Sequence, residues 1–297
     1  MSIITLTTDF GIADEYVGAM KGSILTVNPR ARLVDITHHV APGDVAQGAH
    51  LLKAACGYYP PGTVHLAVVD PGVGTDRPMC ALLAEDRLFV GPDNGLLTLA
   101  APPERVAVAV SLEEERWFRK AVSRTFHGRD IFGPVAAHLS RGIPLRKLGP
   151  EIPPERLQPL ARVPAPSADG GGISGTVIHV DRFGNLVTDI GRDLLAALLP
   201  PERWDDFLVR CREFEARGLV PTYGSVSPGT AVALIGSRDT LEIAVSGGNA
   251  AERLSLGRGD QVTVWKKELN GGPFTVKRAP CLSKERRDGG DGEPPKA

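Results

Sequence analysis

Short β-branched runs alternate with segments of helical periodicity from Ile3 to about residue 141. In chain order these segments are IITLT, DEYVGAMKGSILTVNP, ARLVDIT, GDVAQGAHLLKAA and VHLAVVD. Periods of two and of about 3.6 residues in turn predict a βαβαβ unit. Such alternation indicates an α/β domain with a mainly parallel, doubly wound, Rossmann-like sheet and helices on both faces. The next runs, CALLAE and RLFVGPDNG, predict a hairpin added to this sheet.

The second half of the chain has a different pattern. A stretch rich in proline, glycine and small residues at 161–172 predicts a linker. The runs after it are GTVIHVD, NLVTDI, FLVRC, AVALIG, LEIAV and QVTVWK, with one helix around residues 192–199. They predict a small C-terminal β-barrel domain at 173–270, after an N-terminal α/β domain at 1–160. The charged tail at 271–297 has too few apolar residues to offset the entropy of ordering, so we expect it to be disordered.

Charge and cysteine content exclude several classes of partner. The 34 basic and 35 acidic residues nearly cancel, so no overall field steers the chain to nucleic acid or to an anionic membrane. A small-molecule partner is therefore expected. The N-terminus lacks the features of a secretion signal, and no apolar run approaches the roughly 18 residues of a membrane span. The cysteines form no CxxC pair, which favours the reducing cytoplasm as the compartment. They are Cys56, Cys80, Cys211 and Cys281.

Two aspartates fall where predicted strands end. Asp9 follows IITLTT and Asp70 follows VHLAVV, so both lie on the edge of the sheet where doubly wound folds bind ligands. An aspartate in this position can equally cap the next helix. Asp70 is followed by PGVG, in which proline fixes φ and glycine permits close approach of the backbone. The Asp70 carboxylate and Arg77 can therefore be held near one ligand.

The histidines differ in their setting. His127, in the stretch SRTFHGRDIFGPVAAHL, precedes an apolar helical run, where it can titrate and reach a ligand or simply be a partly exposed loop residue. His38, His39 and His50 are close in sequence but lack HExxH spacing, so we expect no metal site there. The HxD in HVDRFGN is another candidate metal pair, although its FGN is better explained as an aromatic face and an amide for a planar base.

Seven stretches, in this order, resemble a known family. They are TTDFGIADEYVGAMKG, DITHHVAPGDVAQGA, YYPPGTVHLAVVDPGVGTDR, GPDNG, RTFHGRDIFGPVAAHL, HVDRFGNLVTDI and ALIGSRDTLEIAVSGGNAAERL. The family is that of the adenosine-forming S-adenosyl-L-methionine (SAM) hydrolases, or SAM hydroxide adenosyltransferases, which are related to the fluorinase and chlorinase. The resemblance covers roughly residues 2–267. It implies an α/β domain, a β-barrel, and a homotrimer with SAM bound between the N-domain of one subunit and the C-domain of its neighbour.

The same resemblance assigns a catalytic triad. The family's aspartate, arginine and histidine match Asp70, Arg77 and His127, whereas halogenating relatives carry an aromatic or aliphatic residue in place of the aspartate. This implies that activated water attacks C5′ of the ribose and displaces methionine. Asp70 can accept a proton from that water, and His127 can orient the water or take the proton. Arg77 can fix the carboxylate and hold hydroxide, so it weakens the aspartate as a base while favouring hydroxide. The sequence does not decide which group is the base.

The remaining family contacts concern the substrate. The resemblance implies that Asp9 binds the ribose hydroxyls and Asp181 the methionine ammonium. It places the adenine against Phe183 and Asn185, with Tyr223 as a second stacking face. The methionine carboxylate is assigned to Ser237 and Arg238. Because SAM is the substrate, we expect neither a cofactor nor a metal.

Three other functions remain open from the sequence. The same fold can act as a 5′-halogenase, which the triad argues against. It can also serve as a non-catalytic protein that binds SAM or adenosine. A metal-dependent hydrolase is the third, and its ligands would be Asp9, His38, His39 and Asp70.

Overall fold

The computed structural model describes residues 2–160, 166–169 and 172–266. The tail predicted at 271–297 and Cys281 lie outside the described residues, as does most of the predicted linker. Residues 167–169 of that linker form a short strand that pairs with the following one, because the edge of the second sheet offers backbone partners there. The domain boundaries drawn from the sequence stay a prediction. No helix in the described ranges is long and apolar enough to cross a membrane.

The first sheet confirms the predicted doubly wound arrangement. Its strands are β1 Ile3–Thr8, β2 Arg32–Thr37, β3 Val64–Val68, β4 Met79–Ala84, β5 Arg87–Pro92 and β6 Val106–Ser111. Their order is β2-β1-β3-β5-β4-β6. The pairs β1–β2, β1–β3 and β3–β5 are parallel, whereas β4 runs antiparallel to β5 and β6. The hairpin predicted from CALLAE and RLFVGPDNG is thus β4–β5.

Helices cover both faces of this sheet. They are α1 Tyr16–Val27, α2 Val45–Cys56 and α3 Gly133–Ser140. On one face Met20 of α1 and Val135 of α3 pack with Leu66 of β3 in one buried cluster. On the other face Leu52 of α2 packs with Phe89 of β5 in a second cluster. Full burial of such a side chain contributes about 1.5–3 kcal/mol, so both faces stabilise the sheet.

The second sheet is antiparallel and nearly closes into a barrel. Its strands are β7 Ser167–Asp169, β8 Gly172–Val180, β9 Leu186–Gly191, β10 Phe207–Cys211, β11 Phe214–Arg217, β12 Ala231–Ile235, β13 Thr240–Val245 and β14 Gln261–Lys266. The order is β11-β10-β14-β8-β9-β13-β12, with β7 beside β8. Just after β11, Val220 N–H donates to Ala233 O of β12 at 2.9 Å, which brings the two ends together. Two short helices complete it, α4 Arg192–Leu198 and α5 Ala250–Leu254.

The topology fixes the place of two aspartates. From β1 the chain passes to β2 on one side, and from β2 it returns to β3 on the other side of β1. The direction of winding therefore reverses between β1 and β3, and such a reversal opens a crevice at the carboxyl ends of the strands. Asp9 directly follows β1, and Asp70 lies just after β3. Both side chains are thereby brought to this crevice.

Candidate active site

Asp70 and Arg77 form a bidentate ion pair at the end of β3. Arg77 Nε lies 2.8 Å from Asp70 Oδ1 and 2.9 Å from Oδ2, and Arg77 Nη2 also donates to Oδ2. The two side chains are 5% and 11% exposed, respectively. The guanidinium lies over the ring of Phe132, 5.4 Å from its centroid, which adds a cation–π contact. The pair is therefore fixed in orientation and largely shielded from solvent.

Arg77 also binds His127 and thereby sets its tautomer. Arg77 Nη2 and His127 Nδ1 are 2.8 Å apart. Because a guanidinium has no acceptor, Nδ1 must accept this hydrogen bond and the ring proton must lie on Nε2. Burial lowers the pKa of His127, and the positive charge of Arg77 lowers it further. The histidine is therefore held neutral, with an N–H donor free for a ligand.

Close packing of two loops brings these residues together. Gly74, in the DPGVG loop, has φ of +78°, and a Cβ built there would lie 2.3 Å from the carbonyl oxygen of Arg124. Only glycine allows this approach. His127 lies three residues after Arg124 and directly precedes a π-helical turn at Gly128–Phe132. In that turn the fully buried Asp130 accepts the N–H of Ser123 at 2.9 Å and so holds the loop closed.

Asp9 lies at the same edge as Asp70. Its Oδ2 accepts the backbone N–H of Gly43 at 2.8 Å. Burial raises the pKa of Asp9, the hydrogen bond from Gly43 opposes this, and the negative charge of Asp70 raises it further. The two carboxylates are thus close enough for the charge of Asp70 to act on Asp9.

Asn94 is a member of this region that the sequence analysis did not assign to the site. It lines a cavity of about 260 Å³ together with Asp70 and Arg77. Its Nδ2 donates to Val69 O at 3.0 Å, immediately before Asp70. The available signal was the GPDNG turn after β5, whose neighbour in the sheet is β3. Asn94 therefore supports the backbone that presents Asp70.

The loop between β8 and β9 is wound around Asp181. The Asp181 carboxylate accepts the backbone N–H groups of Phe183 and Asn185 at 2.8 and 2.9 Å, and Asn185 Nδ2 at 3.0 Å. One of the two hydrogens on the side-chain amide nitrogen of Asn185 is therefore already donated to Asp181. Asn185 is only 8% exposed. The ring of Phe183 is 74% exposed, which leaves it open to stack on a ligand.

Three further predicted residues lie near the β12–β13 turn. Ser237 and Arg238 are in the turn itself and line a cleft of about 720 Å³, which α2 borders through Lys53. Tyr223 OH donates to Glu242 Oε2 at 2.7 Å. Glu242 was not assigned to the site from the sequence.

The predicted residues thus fall into two sets. The strand-end set comprises Asp9, Asp70, Arg77 and His127. The barrel set comprises Asp181, Phe183, Asn185, Tyr223, Ser237 and Arg238. Within the described ranges, no hydrogen bond or ion pair joins a member of one set to a member of the other. The structure of a single chain therefore joins the triad by hydrogen bonds, whereas no such bond links the two sets in the described residues.

The ligands proposed for a metal site do not form a cluster. In the part of the chain that the structure describes, no group of three or more His, Cys, Asp or Glu side chains is arranged to hold a metal ion. His38 Nδ1 lies 2.7 Å from the hydroxyl of Thr8, and its Nε2 lies 3.2 Å from Asp35. This histidine is thus engaged away from Asp9 and Asp70.

Comparison with known proteins identifies the family. The models of the SAM hydroxide adenosyltransferase N-terminal and C-terminal domains match residues 4–149 and 175–263. The chain is 44% identical over 262 residues to an "(R)-S-adenosyl-L-methionine hydrolase" of Salinispora tropica, covering 88% of this chain and 97% of that protein. A more distant relative is a "Fluorinase" of an Actinoplanes species, with 27% identity over 89% of this chain and 97% of that protein.

A solved structure agrees with both the fold and the sequence match. The crystal structure of an uncharacterized conserved protein from Thermotoga maritima superposes with a TM-score of 0.81 at 37% identity, covering 90% of this chain and all of that one. The two family models together span well over half of the chain, in the order that the sequence analysis expected. The protein therefore belongs to the SAM hydroxide adenosyltransferase family.

Proposed function

We propose that this protein hydrolyses SAM to adenosine and L-methionine. The observation that carries the proposal is the continuous hydrogen-bonded arrangement Asp70–Arg77–His127 at the ligand-binding edge of the sheet. Relatives at 40–44% identity over most of the chain are named SAM hydrolases, which supports the same conclusion. A halogenase would need no such arrangement, because a halide ion attacks without losing a proton.

The reaction is a displacement at the primary C5′ carbon. Water oxygen forms the new bond to C5′ while the C5′–S bond breaks, and its electron pair stays on sulfur to give neutral methionine thioether. One proton must leave the water. His127 Nδ1 is occupied by Arg77 and its Nε2 carries a hydrogen, so the neutral imidazole can orient the water oxygen but offers no free lone pair. The proposal therefore makes Asp70 the proton acceptor, with Arg77 holding its carboxylate in place.

The other predicted residues supply binding. We assign Asp9 to the ribose hydroxyls and Asp181 to the methionine ammonium. Adenine would stack on Phe183 and contact Asn185 and Tyr223. Ser237 and Arg238 would hold the methionine carboxylate. No cofactor or metal enters this scheme, in which SAM is the only small-molecule partner.

The lack of a hydrogen bond or ion pair between the two sets, within the described residues of one chain, agrees with a shared site. If the strand-end set of one subunit faces the barrel set of a neighbour, both halves of SAM are bound at once, as in the homotrimer implied by the family. We place this assembly in the cytoplasm because its four cysteines form no CxxC pair in the sequence. A monomeric mass in solution, with full activity, would contradict the shared site.

The proposal is tested with purified protein and SAM, in parallel samples with and without a strong chelator. Chromatography should show adenosine and methionine in equal amounts in both samples. Loss of activity in the sample with chelator would indicate a metal-dependent reaction. Bound SAM without adenosine in either sample would indicate a binding protein instead, and 5′-chloro-5′-deoxyadenosine in the presence of chloride would indicate a halogenase.

We expect Arg238→Ala to raise KM for SAM by roughly 10- to 100-fold with kcat almost unchanged. A charge-assisted hydrogen bond to a carboxylate contributes about 1.5–3 kcal/mol, and this contact is the same in the ground and transition states. Steady-state kinetics measure both constants. Arg217→Ala, which removes an exposed arginine from β11 of the same barrel, is the matched control. A fall in kcat alone would contradict the role of Arg238 as a carboxylate anchor.

The pH dependence follows from the neutral state of His127. Its pKa is lowered from 6.5 by burial and by Arg77, so the neutral form persists as the pH falls through 6.5. Protonation of Nδ1 at lower pH would break the bond from Arg77 and disturb Asp70. We therefore expect the fall in kcat at acidic pH to have its midpoint below pH 6.5. An NMR titration of the His127 ring, assigned with His127→Asn, should give a midpoint below 6.5, and a midpoint above that value would contradict the tautomer assignment.

A further inference from the structure

Glu242 is a buried carboxylate that the proposed reaction does not use. It lies on β13 and is only 4% exposed. Acidic side chains are seldom this buried unless an opposite charge pairs with them. Across the residues described by the structure, Glu242 forms no ion pair, and the hydroxyl of Tyr223 is its side-chain hydrogen-bond donor, at 2.7 Å. Its carboxyl group therefore has no cation within ion-pair distance among the described residues.

The carboxylate lies against the turn that carries the predicted carboxylate anchor. A Cβ built on Gly236 would fall 1.9 Å from Glu242 Oε1, so the absence of a side chain at 236 provides the space that the carboxylate occupies. Ser237 and Arg238 are the next two residues. Glu242 is thus held at the base of this turn, with Tyr223 on its other oxygen.

The charges of Asp181 and Arg238 both affect the pKa of the Glu242 carboxyl group. Burial raises the pKa of Glu242, the hydrogen bond from Tyr223 opposes this, the negative charge of Asp181 raises it further, and Arg238 lowers it. Glu242 also faces Val187 across the β13–β9 pair, two residues beyond the Asn185 that binds Asp181. Two carboxyl groups and one guanidinium therefore share this end of the barrel.

A guanidinium beside two carboxyl groups matches the separate positive and negative ends of an amino-acid group. Arg238 balances the α-carboxylate of a bound amino acid, and the two acidic residues then face its α-ammonium. We propose that Glu242 is a specificity-determining residue, which recognises the positive charge of the α-ammonium group beside Asp181 and so selects nucleosides that carry an amino acid. This inference rests on the proposed substrate, but it concerns binding and can be tested apart from turnover.

The test compares three ligands in calorimetric titrations of the full-length protein. SAM and S-adenosyl-L-homocysteine carry the α-ammonium group, whereas adenosine does not. In Glu242→Gln, which keeps the shape and an acceptor for Tyr223, we expect Kd for the first two ligands to rise about tenfold, as for one screened charge interaction. Kd for adenosine should change less than about twofold, which is within the ordinary effect of a neutral substitution.

Further variants separate the charge from the hydrogen bond. Tyr223→Phe keeps the Glu242 charge and should preserve the preference for S-adenosyl-L-homocysteine over adenosine. Glu242→Asp, which also keeps the charge, should do the same even if Glu242→Gln folds poorly. Glu213→Gln makes the same change as Glu242→Gln at an exposed position of the barrel and should behave as the wild type.

Two results would overturn the inference. One is an equal loss of affinity for adenosine in Glu242→Gln, which would mean that Glu242 supports the fold or the adenine face. The other is an unchanged Kd for S-adenosyl-L-homocysteine. Wild-type protein that binds SAM without releasing adenosine would instead contradict the proposed hydrolysis, and the tenfold selective loss in Glu242→Gln would still support this inference.

Discussion

Asp70→Asn should lower kcat for SAM hydrolysis at least about a thousandfold, because general-base catalysis contributes roughly 10²–10⁴ and the orientation of Arg77 is lost with it. An asparagine has nearly the same shape, but its amide presents hydrogens where Arg77 now donates at 2.8 and 2.9 Å. Binding of SAM should change by less than about threefold, since the proton acceptor acts on the transition state. Single-turnover kinetics at saturating SAM, with calorimetry for Kd, measure the two effects.

The matched control is Asp76→Asn, in the same loop. Asp76 is exposed and, in the described structure, enters no ion pair with Arg77 or another residue. This variant should keep wild-type kcat. If Asp70→Asn turned over SAM at a rate near that of the wild type, Asp70 would not be the proton acceptor. His127, which the tautomer argument excludes, would then be the remaining candidate.

The scaffold of this site could be predicted because it depends on local periodicity and on a general property of parallel sheets. Runs such as VHLAVVD are short, β-branched and separated by helical segments, so their order along the chain specifies β1, α1, β2, α2 and β3. Since carboxyl ends of parallel strands share one edge, Asp9 and Asp70 had to approach each other. Neither argument requires knowledge of a distant contact.

The site itself, in contrast, depends on contacts between residues that are far apart in the sequence. The bond between Arg77 and His127 joins positions 50 residues apart, and no periodicity encodes it. The family resemblance named both residues, but the tautomer of His127, on which the proposed role of Asp70 depends, is inferred from their hydrogen bond in the structure. The role of Asn94 could not be predicted for the same reason, because it arises from the pairing of β5 with β3.

Glu242 shows a different limit. Alternation along β13 places Leu241, Ile243 and Val245 in the barrel core, so Glu242 lies on the opposite face of the sheet. In the structure a second small cluster lies on that side, where Val220 and Val226 pack over the sheet. A segment between β11 and β12 thus buries a face that a strand pattern treats as exposed.

The two loops of the triad supply the second large expected effect, in Gly74→Ala. Alanine at this position must adopt φ near +78°, and its Cβ would meet the backbone oxygen of Arg124 at 2.3 Å. The strain of the left-handed conformation and the overpacking together should lower the free energy of unfolding by about 2–4 kcal/mol. Displacement of the Arg124 loop would also move His127 from Arg77. A shift of about 1 Å in such a site costs roughly 100-fold in rate, so kcat should fall by this factor.

Gly62→Ala separates the two causes. Gly62 has φ of +80°, almost the same as Gly74, but no atom lies within 4 Å of the Cβ position. This variant should lose only the conformational strain, about 1–2 kcal/mol by chemical denaturation, and keep its kcat. Equal losses of stability in the two variants, with kcat unchanged in Gly74→Ala, would show that the Arg124 loop yields without moving His127. A loss of kcat in Gly74→Ala alone would show that close approach of the two loops, rather than the backbone conformation of glycine, assembles the triad.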